Sequence, residues 1–171
     1  MANLLRMYYE LTDRFEVPSS LEQTWAFFSD ATNLPRITPP WLNFSVSTNS
    51  ATEIKLDSIL DYTIRWKGLP IHWRTRIIDY SPPRQFIDLQ IRGPYALWHH
   101  QHTFESDATG GVICADRVIY KIPLGPIGRM MHALTVRNQL LDIFRFRRRV
   151  IGESLSGLRA LQDDVRIQVL S

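Results

Sequence analysis

Residues 84–128 decide the fold, and they read RQFIDLQIRGPYALWHHQHTFESDATGGVICADRVIYKIPLGPIG. Side chains alternate in character along this stretch, and glycine-containing turn sequences interrupt the alternation twice, which predicts three consecutive antiparallel strands. One face of the middle strand carries Trp98, His100, His102 and Phe104. Two imidazoles among aromatic rings are costly to bury unless their nitrogens find hydrogen-bond partners or a ligand. The stretch therefore predicts a sheet that holds a ligand, without identifying it.

The same period-two pattern continues upstream and predicts a sheet of seven strands. The predicted strands are 8–17, 42–48, 59–67, 71–80, 84–92, 96–105 and 112–122. Two short helices are expected between the first two strands. Ser19 followed by Glu22 predicts a capping box at the start of the first helix, and Pro39 prevents the second from continuing.

A long C-terminal helix is predicted to begin near Ile127 or Gly128 and to cover at least residues 129–150. Its apolar residues recur at helical spacing and form one stripe, made of Leu134, Leu141, Phe144, Ile151, Leu155 and Leu158. Gly152 and Gly157 are expected to bend or fray it. A helix of roughly 30 residues is roughly 45 Å long, so it can lie across the concave face of a sheet that curls.

The whole chain of 171 residues is expected to form one domain, 1–171. No run approaches the ~18 uninterrupted apolar residues that a membrane-spanning helix needs, and the N-terminus lacks the pattern of a secretory signal. Cys114 is the only cysteine and cannot form an internal disulfide, which favours a reducing compartment. The expected location is therefore the cytoplasm, without stable membrane insertion.

Four arginines lie close together in the predicted helix: Arg145, Arg147, Arg148 and Arg149. Such a cluster either meets phosphates or anionic lipid, or forms the solvated side of a helix. Because it spans more than one helical turn, at least two of the arginines are expected to be exposed, with weak affinity for phosphates or membranes. Nucleic-acid binding is not expected, since the tryptophans of the strands face inward and no phosphate-binding loop motif is present.

The order of one strand, two short helices, six antiparallel strands and a long C-terminal helix resembles the SRPBCC superfamily over essentially the whole chain. This is the START-like helix-grip fold, shared with birch-pollen-type allergens and polyketide cyclases. The segments most similar to a bacterial branch, often labelled cyclase/dehydrase-like, are 39–42, 68–70, 82–86, 93–98 and 124–128. The resemblance implies an α+β fold, with a curved seven-stranded antiparallel sheet wrapped around the C-terminal helix and an internal cavity. It implies little about chemistry, because the superfamily includes lipid carriers, hormone receptors, cyclases and oxygenase subunits.

The register of the first hairpin decides whether Asp88 faces the cavity. A three-residue turn at 93–95 places Asp88 opposite His100, with Cβ atoms about 4.5–5.5 Å apart. A slip of one residue would instead turn Asp88 outward and bring its apolar neighbours Ile87 and Leu89 onto that face. The sequence leaves both registers open.

In the second hairpin, a turn that pairs Phe104 with Val112 places Asp116 on the other side of His100. Asp88, His100 and Asp116 would then form one hydrogen-bonded unit. The candidate ligand-binding residues on this face and on the helix are Trp73, Asp88, Gln90, Trp98, His100, His102, Phe104, Cys114, Asp116, Val118 and Phe144.

Three roles compete for this polar unit. The two carboxylates could fix His100 structurally, the histidines could orient a polar group of an apolar ligand, or His100 could act as a catalytic general base. A metal is not expected, because His100, His102 and Asp116 lack a second His-rich or Cys-rich segment, and no other cofactor is indicated. Cys114 suits a buried apolar position better than a nucleophile.

The preferred function is the binding or carriage of a hydrophobic or aromatic small molecule, lipid-like or polyketide-like, in the internal cavity. The first alternative is a cyclase- or dehydratase-like enzyme that uses His100 as general base. The second is a non-catalytic interaction module whose own aromatic side chains fill the pocket. A cavity of about 300 Å³ or more would argue against this second alternative. A partner enzyme, if there is one, is not identified by the sequence.

Overall fold

Eight antiparallel strands make up one sheet in the part of the chain that the computed structural model describes, residues 7–47, 50–159 and 163–170. They are β1 (Tyr8–Val17), β2 (Ser45–Val46), β3 (Ile59–Trp66), β4 (Leu69–Ser81), β5 (Gln85–Arg92), β6 (Leu97–Ser106), β7 (Val112–Lys121) and β8 (Arg166–Leu170). Their order across the sheet is β2-β3-β4-β5-β6-β7-β1-β8. The expected α+β architecture is confirmed, with one strand more than the seven predicted.

β8 is the strand that the sequence analysis missed. It pairs with β1, from Tyr8 opposite Leu170 to Thr12 opposite Arg166. Its sequence, RIQVL, does alternate, but a run of five residues after a long helix is too short to distinguish a strand from an irregular tail. Pairing with β1, which lies at the other end of the chain, is what makes it a strand.

Most of the predicted strand 42–48 is not a strand. Pro40–Leu42 forms a 3-10 turn that ends at Asn43 with φ 44°, a left-handed conformation that asparagine tolerates. Ser45–Val46 pairs with β3, and position 48 lies outside the described residues. The proline pair before this segment favours a turn over an extended strand, which explains the difference. The other six predicted strands agree with the structure to within two residues at each end.

The first helix, α1 (Leu21–Ser29), begins one residue later than predicted. Its N-cap is Ser20, whose hydroxyl accepts from the Gln23 backbone N–H at 3.2 Å, while the Gln23 side chain accepts from the Ser20 N–H at 3.3 Å. The capping box therefore exists, but on Ser20 and Gln23 instead of Ser19 and Glu22. Ser19 donates its hydroxyl to the carbonyl oxygen of Leu155 at 2.8 Å, which ties the start of α1 to the end of the C-terminal helix.

The C-terminal helix is one continuous helical segment with a π-helical turn inside it. α2 (Gly125–Met131) leads through the π turn His132–Val136 into α3 (Arg137–Ser154). The segment covers residues 129–150, so this prediction is confirmed, and it begins slightly earlier than expected. Within the described ranges, no helix combines the length and the apolar character needed to cross a bilayer.

The π turn changes which residues of the helix are buried. It holds one residue more than an α turn, so every following side chain is displaced around the helix axis. Leu134, predicted in the buried stripe, is 72% exposed, whereas Leu140 joins Phe144 in the core. Leu158 lies beyond the end of α3 and packs on Gly152, where an added Cβ atom would lie 2.4 Å from its Cγ. Gly152 therefore permits this close approach.

Two aromatic-rich clusters form the core between the sheet and the helices. The first contains Phe15, Phe28, Phe86, Phe104 and Ile151 among others. The second contains Tyr9, Trp73, Trp98, Tyr120 and Phe144 among others. Because α3 contributes side chains to both clusters, it lies across the sheet, as the helix-grip arrangement requires.

The arginine cluster is divided between surface and interior. Arg145 and Arg149 are exposed, which confirms that at least two of the four are. Arg148 is buried and forms an ion pair with Asp13 of β1. Arg147 is half-buried and lines the cavity described below. Arg148 lies four residues after Phe144 and three before Ile151, so helical spacing places it on the buried stripe, but the sequence alone does not indicate the carboxylate that it meets.

His132, in the π turn, is buried in the second aromatic cluster. Its Nε2 lies 2.7 Å from the Tyr120 hydroxyl oxygen, and its ring stacks on Tyr9 with centroids 3.7 Å apart. Burial and the charge of Arg137 lower the pKa of His132 to about 4. The folded protein therefore holds this imidazole neutral, whereas the unfolded chain protonates it near its ordinary pKa of about 6.5.

We expect the His132→Gln variant to lose less stability in acid than the wild type. A lowered folded-state pKa contributes stability that is complete above about pH 6.5 and is lost as the pH falls toward about 4. Between pH 7 and 4.5, the wild type should lose about 2–3 kcal/mol more unfolding free energy than the variant. Urea unfolding at the two pH values measures this difference, with the exposed His72→Gln as control. Equal acid sensitivity of the wild type and His132→Gln would contradict the assignment.

Candidate functional site

An internal cavity of about 380 Å³ lies between the sheet and the helices. Its lining is mainly apolar, and its aromatic members include Tyr62, Trp66, Trp73, Tyr95, Trp98 and Phe144. Two other lining residues, Trp41 and Leu124, are 48% and 73% exposed. The cavity therefore reaches the protein surface at these side chains.

Six of the eleven predicted ligand-binding residues line this cavity: Trp73, Asp88, Trp98, His100, His102 and Phe144. The other five are not part of the lining: Gln90, Phe104, Cys114, Asp116 and Val118. Phe104, Cys114 and Val118 belong to the buried core clusters. Burial raises the pKa of the Cys114 thiol, which suits a buried apolar position. Gln90 donates to the Tyr95 carbonyl oxygen at 2.7 Å and so stabilises the turn between β5 and β6.

The first hairpin has the register that turns Asp88 inward. Asp88 pairs with His100, as a three-residue turn at 93–95 predicts, and the alternative register with Ile87 and Leu89 on this face is wrong. The polar partners of Asp88 on β6 explain why this register forms, because the inward carboxylate gains two imidazole neighbours.

The second hairpin is shifted by two residues from the predicted register. Phe104 pairs with Cys114 instead of Val112, and Asp116 pairs with His102 instead of His100. A shift of two preserves the face on which each side chain lies. Asp116 therefore still points toward the histidines, and its Oδ1 atom reaches both rings.

Asp88, His100, His102 and Asp116 form a closed polar unit, which we call the His–Asp box. His100 Nε2 lies 2.9 Å from Asp116 Oδ1, and His102 Nε2 lies 3.2 Å from Asp88 Oδ2; both are hydrogen bonds. The remaining ring nitrogens complete the box at longer or less well aligned contacts. His100 Nδ1 is 3.5 Å from Asp88 Oδ2, and His102 Nδ1 is 2.7 Å from Asp116 Oδ1. Each imidazole thus lies between the same two carboxylates.

Aromatic rings surround the His–Asp box on both sides. The two imidazoles lie 3.8 Å apart between ring centroids. The His102 ring stacks on Phe86 at 4.2 Å, and the His100 ring lies 5.6 Å from Phe144. Because Phe86 and Phe144 belong to different core clusters, the box is a polar element at the junction of the two clusters.

The two histidines of the box have opposite pKa shifts. Burial, together with the charge of His102, moves the pKa of His100 below its ordinary value in spite of Asp116. Burial also lowers the pKa of His102, but the charge of Asp116 and the hydrogen bonds to both carboxylates outweigh it and raise the net pKa. Burial raises the pKa of Asp116, but the charges of His102 and Arg147 and the hydrogen bonds from the histidines hold it well below its usual range. His102 is therefore the more readily protonated ring.

Arg147 is the cavity residue that the sequence analysis did not select. It lines the cavity, and its guanidinium carbon lies 5.9 Å from the centroid of the Phe28 ring. Its Nε atom is buried and makes no hydrogen bond to any of the described residues. Its helical spacing with Leu140 and Ile143, two other lining residues, is the signal that could have found it.

Comparison with known proteins relates the chain to one family by sequence and to several proteins by fold. The model of the family described as polyketide cyclase / dehydrase and lipid transport matches residues 17–144. A search of curated protein sequences finds no significant match.

Three solved structures illustrate the similarity in fold. A START superfamily protein from Mycobacterium smegmatis superposes with a TM-score of 0.65 at 11% identity, covering 86% of this chain and 97% of that one. The Zhui aromatase/cyclase from Streptomyces sp. R1128 gives a TM-score of 0.60 at 12% identity, covering 84% and 93%. The di-domain ARO/CYC StfQ from the steffimycin biosynthetic pathway gives 0.67 at 14%, covering 88% of this chain and 51% of the di-domain chain. At these identities the similarity concerns the fold alone.

Proposed function

Because the chain belongs to the polyketide cyclase/dehydrase and lipid transport family of SRPBCC (START-like) proteins, we propose that it binds or carries a hydrophobic or aromatic small molecule in its internal cavity. The observation that carries this proposal is the cavity of about 380 Å³ with a mainly apolar, aromatic lining. Small-molecule sites have typical volumes of roughly 300–1,000 Å³ and combine such linings with a few polar groups. The volume argues against an interaction module whose pocket is filled by its own side chains.

The polar groups of the cavity define how a ligand would be oriented. His100, His102 and Asp88 are polar lining residues on β5 and β6, and Arg147 contributes a guanidinium from the helix. The Arg147 guanidinium in a mainly apolar cavity favours a ligand with a single polar or anionic group. The aromatic residues at the rest of the lining would contact the apolar body of the ligand.

Filling the cavity is expected to abolish much of its ligand binding. Ile64 is a half-buried lining residue on β3, and Ile64→Trp would replace its aliphatic side chain by a larger indole ring in the cavity. We expect this variant to bind the fluorescent apolar probe 8-anilinonaphthalene-1-sulfonate about 10-fold or more weakly than the wild type, because lost cavity volume removes apolar contact area. The matched control is Ile78→Trp, the same substitution at an exposed position outside the lining. Fluorescence titration, with circular dichroism to check folding, makes the comparison.

Equal probe affinity in Ile64→Trp and Ile78→Trp would contradict the proposal. To identify the natural ligand, the protein is purified from its own host and analysed by native mass spectrometry. The bound molecule is then released by denaturing extraction. A small molecule that is released from the wild type and absent from Ile64→Trp would support binding in this cavity.

A cyclase- or dehydratase-like activity is the second candidate, favoured by the hydrogen bond between His100 and the buried Asp116. A general base oriented by a carboxylate has this arrangement. However, the second nitrogen of His100 faces Asp88 at 3.5 Å, so neither ring nitrogen points freely toward a substrate. This geometry supports binding over catalysis. Incubation of the extracted molecule with fresh protein distinguishes the two, because a carrier returns it unchanged and a cyclase or dehydratase converts it.

A further inference from the structure

We propose that Asp88, His100 and His102 bind a divalent transition-metal ion at the wall of the cavity. One atom from each residue lies within 4.8 Å of the atoms from the others. The residues come from two neighbouring strands, β5 and β6, whose register is stated above. The sequence analysis considered Asp116 as the third ligand beside the two histidines, whereas the pairing of β5 with β6 brings Asp88 to that place.

The distances between the candidate ligand atoms match a four-coordinate site. Asp88 Oδ2 is 3.5 Å from His100 Nδ1 and 3.2 Å from His102 Nε2. In a tetrahedral site with metal–ligand bonds of about 2.0–2.1 Å, the ligand atoms lie roughly 3.3–3.4 Å from one another. The Asp88 oxygen therefore lies at a ligand-to-ligand distance from each histidine nitrogen, and the two nitrogens lie within 4.8 Å of one another.

Asp116 occupies the position of the carboxylate that orients metal-bound histidines. Its Oδ1 atom lies 2.9 Å from His100 Nε2 and 2.7 Å from His102 Nδ1, the two ring nitrogens that face away from Asp88. A histidine that ligates a metal through one nitrogen commonly donates its other N–H to a carboxylate, which fixes the tautomer and the ring orientation. Asp116 makes this hydrogen bond with His100, and it contacts His102 Nδ1 in a less well aligned geometry.

The hydrogen-bonding capacity of the box also favours a bound cation. A neutral imidazole carries one N–H, yet each of the two rings directs both of its nitrogens at carboxylate oxygens. Two neutral rings therefore leave two of these four nitrogens as lone pairs aimed at carboxylate oxygens. A divalent ion on the Asp88 side accepts those two lone pairs and balances the charges of Asp88 and Asp116.

The ligand set indicates the class of the ion. Imidazole nitrogens suit Zn²⁺, Fe²⁺, Co²⁺ or Ni²⁺, whereas Mg²⁺ and Ca²⁺ prefer oxygen ligands throughout. Three protein ligands leave at least one coordination position, and the ligands themselves line the cavity. A polar group of a molecule in the cavity would therefore coordinate the same ion. The metal proposal does not depend on which organic molecule the cavity holds.

Titration of the full chain, prepared without a histidine tag and freed of metal by a chelator, tests the proposal with Zn²⁺ alone. Calorimetry should show one ion bound per chain. His100→Gln and His102→Gln should each weaken Zn²⁺ binding by roughly 100-fold or more, and Asp116→Asn by about 10–100-fold as an outer partner. The matched control is His99→Gln, which changes the neighbouring histidine on the same strand and should leave affinity unchanged.

A second measurement uses only the wild type, so it does not depend on the folding of any variant. Co²⁺ added to the metal-free protein should produce the intense visible absorption of a four- or five-coordinate site, and Zn²⁺ should displace it. Absence of that absorption, or equal loss of Zn²⁺ affinity in His99→Gln and His102→Gln, would overturn the proposal. Probe binding in the cavity is measured separately, so failure of the metal site leaves the proposed ligand binding intact.

Discussion

Replacing Arg148 with methionine is expected to lower the free energy of unfolding by about 3–5 kcal/mol. Arg148 is 5% exposed and Asp13 is 2% exposed, and their side chains form an ion pair between α3 and β1. Removing the guanidinium leaves the Asp13 carboxylate buried without a counter-charge, and its Oδ2 atom already lacks a hydrogen bond among the described residues. The substitution also removes the hydrogen bond from Arg148 Nη1 to the Asp163 carbonyl oxygen at 3.0 Å.

Urea unfolding at pH 7 measures this loss against a matched control. Arg149→Met makes the same change one residue further along α3, where the side chain is exposed, and should alter stability by about 0.5 kcal/mol or less. The double variant Asp13→Leu/Arg148→Met should recover much of the loss, because an apolar pair replaces the unpaired charge. A loss in Arg148→Met no larger than that in Arg149→Met would show that the buried pair does not stabilise the fold.

Asp116→Asn is expected to lower the free energy of unfolding by about 2–4 kcal/mol in the absence of metal. The amide has nearly the same shape as the carboxylate but no charge, so the cost comes from electrostatics. Asp116 Oδ1 faces ring nitrogens of both His100 and His102, and all three side chains are buried. The neutral amide no longer raises the pKa of His102 against the effect of burial, as the Asp116 carboxylate does.

The test for Asp116 compares it with an exposed carboxylate under the same conditions. Asp142→Asn on α3 removes a charge from a side chain that is 66% exposed, and should change stability by about 0.5 kcal/mol or less. A chelator in the buffer ensures that both variants are compared as metal-free proteins. If Asp116→Asn unfolds at the same urea concentration as the wild type, the His–Asp box contributes no stability through its charges.

Local patterns in the sequence were enough to predict most of the secondary structure and the face of the sheet that holds the site. Alternation placed six of the eight strands and put His100 and His102 on the inner face, because a strand turns successive side chains to opposite sides whatever its partners are. Helical spacing of apolar residues placed the C-terminal helix for the same reason. These properties depend only on neighbours along the chain.

Contacts between distant parts of the chain decided the rest. The shift in the second hairpin brought Asp116 opposite His102, and a two-residue difference in turn length is enough to cause such a shift. The π turn rotated Leu134 out of the core. Asp13 and Arg148 are 135 residues apart, and although strand alternation and helical spacing place each of them on an inner face, nothing local pairs one with the other. The sequence by itself determined which residues share a face, because backbone geometry imposes that locally. Only the tertiary structure decided which faces meet, because strand register, helix phase and the pairing of buried charges are set by packing across the whole molecule.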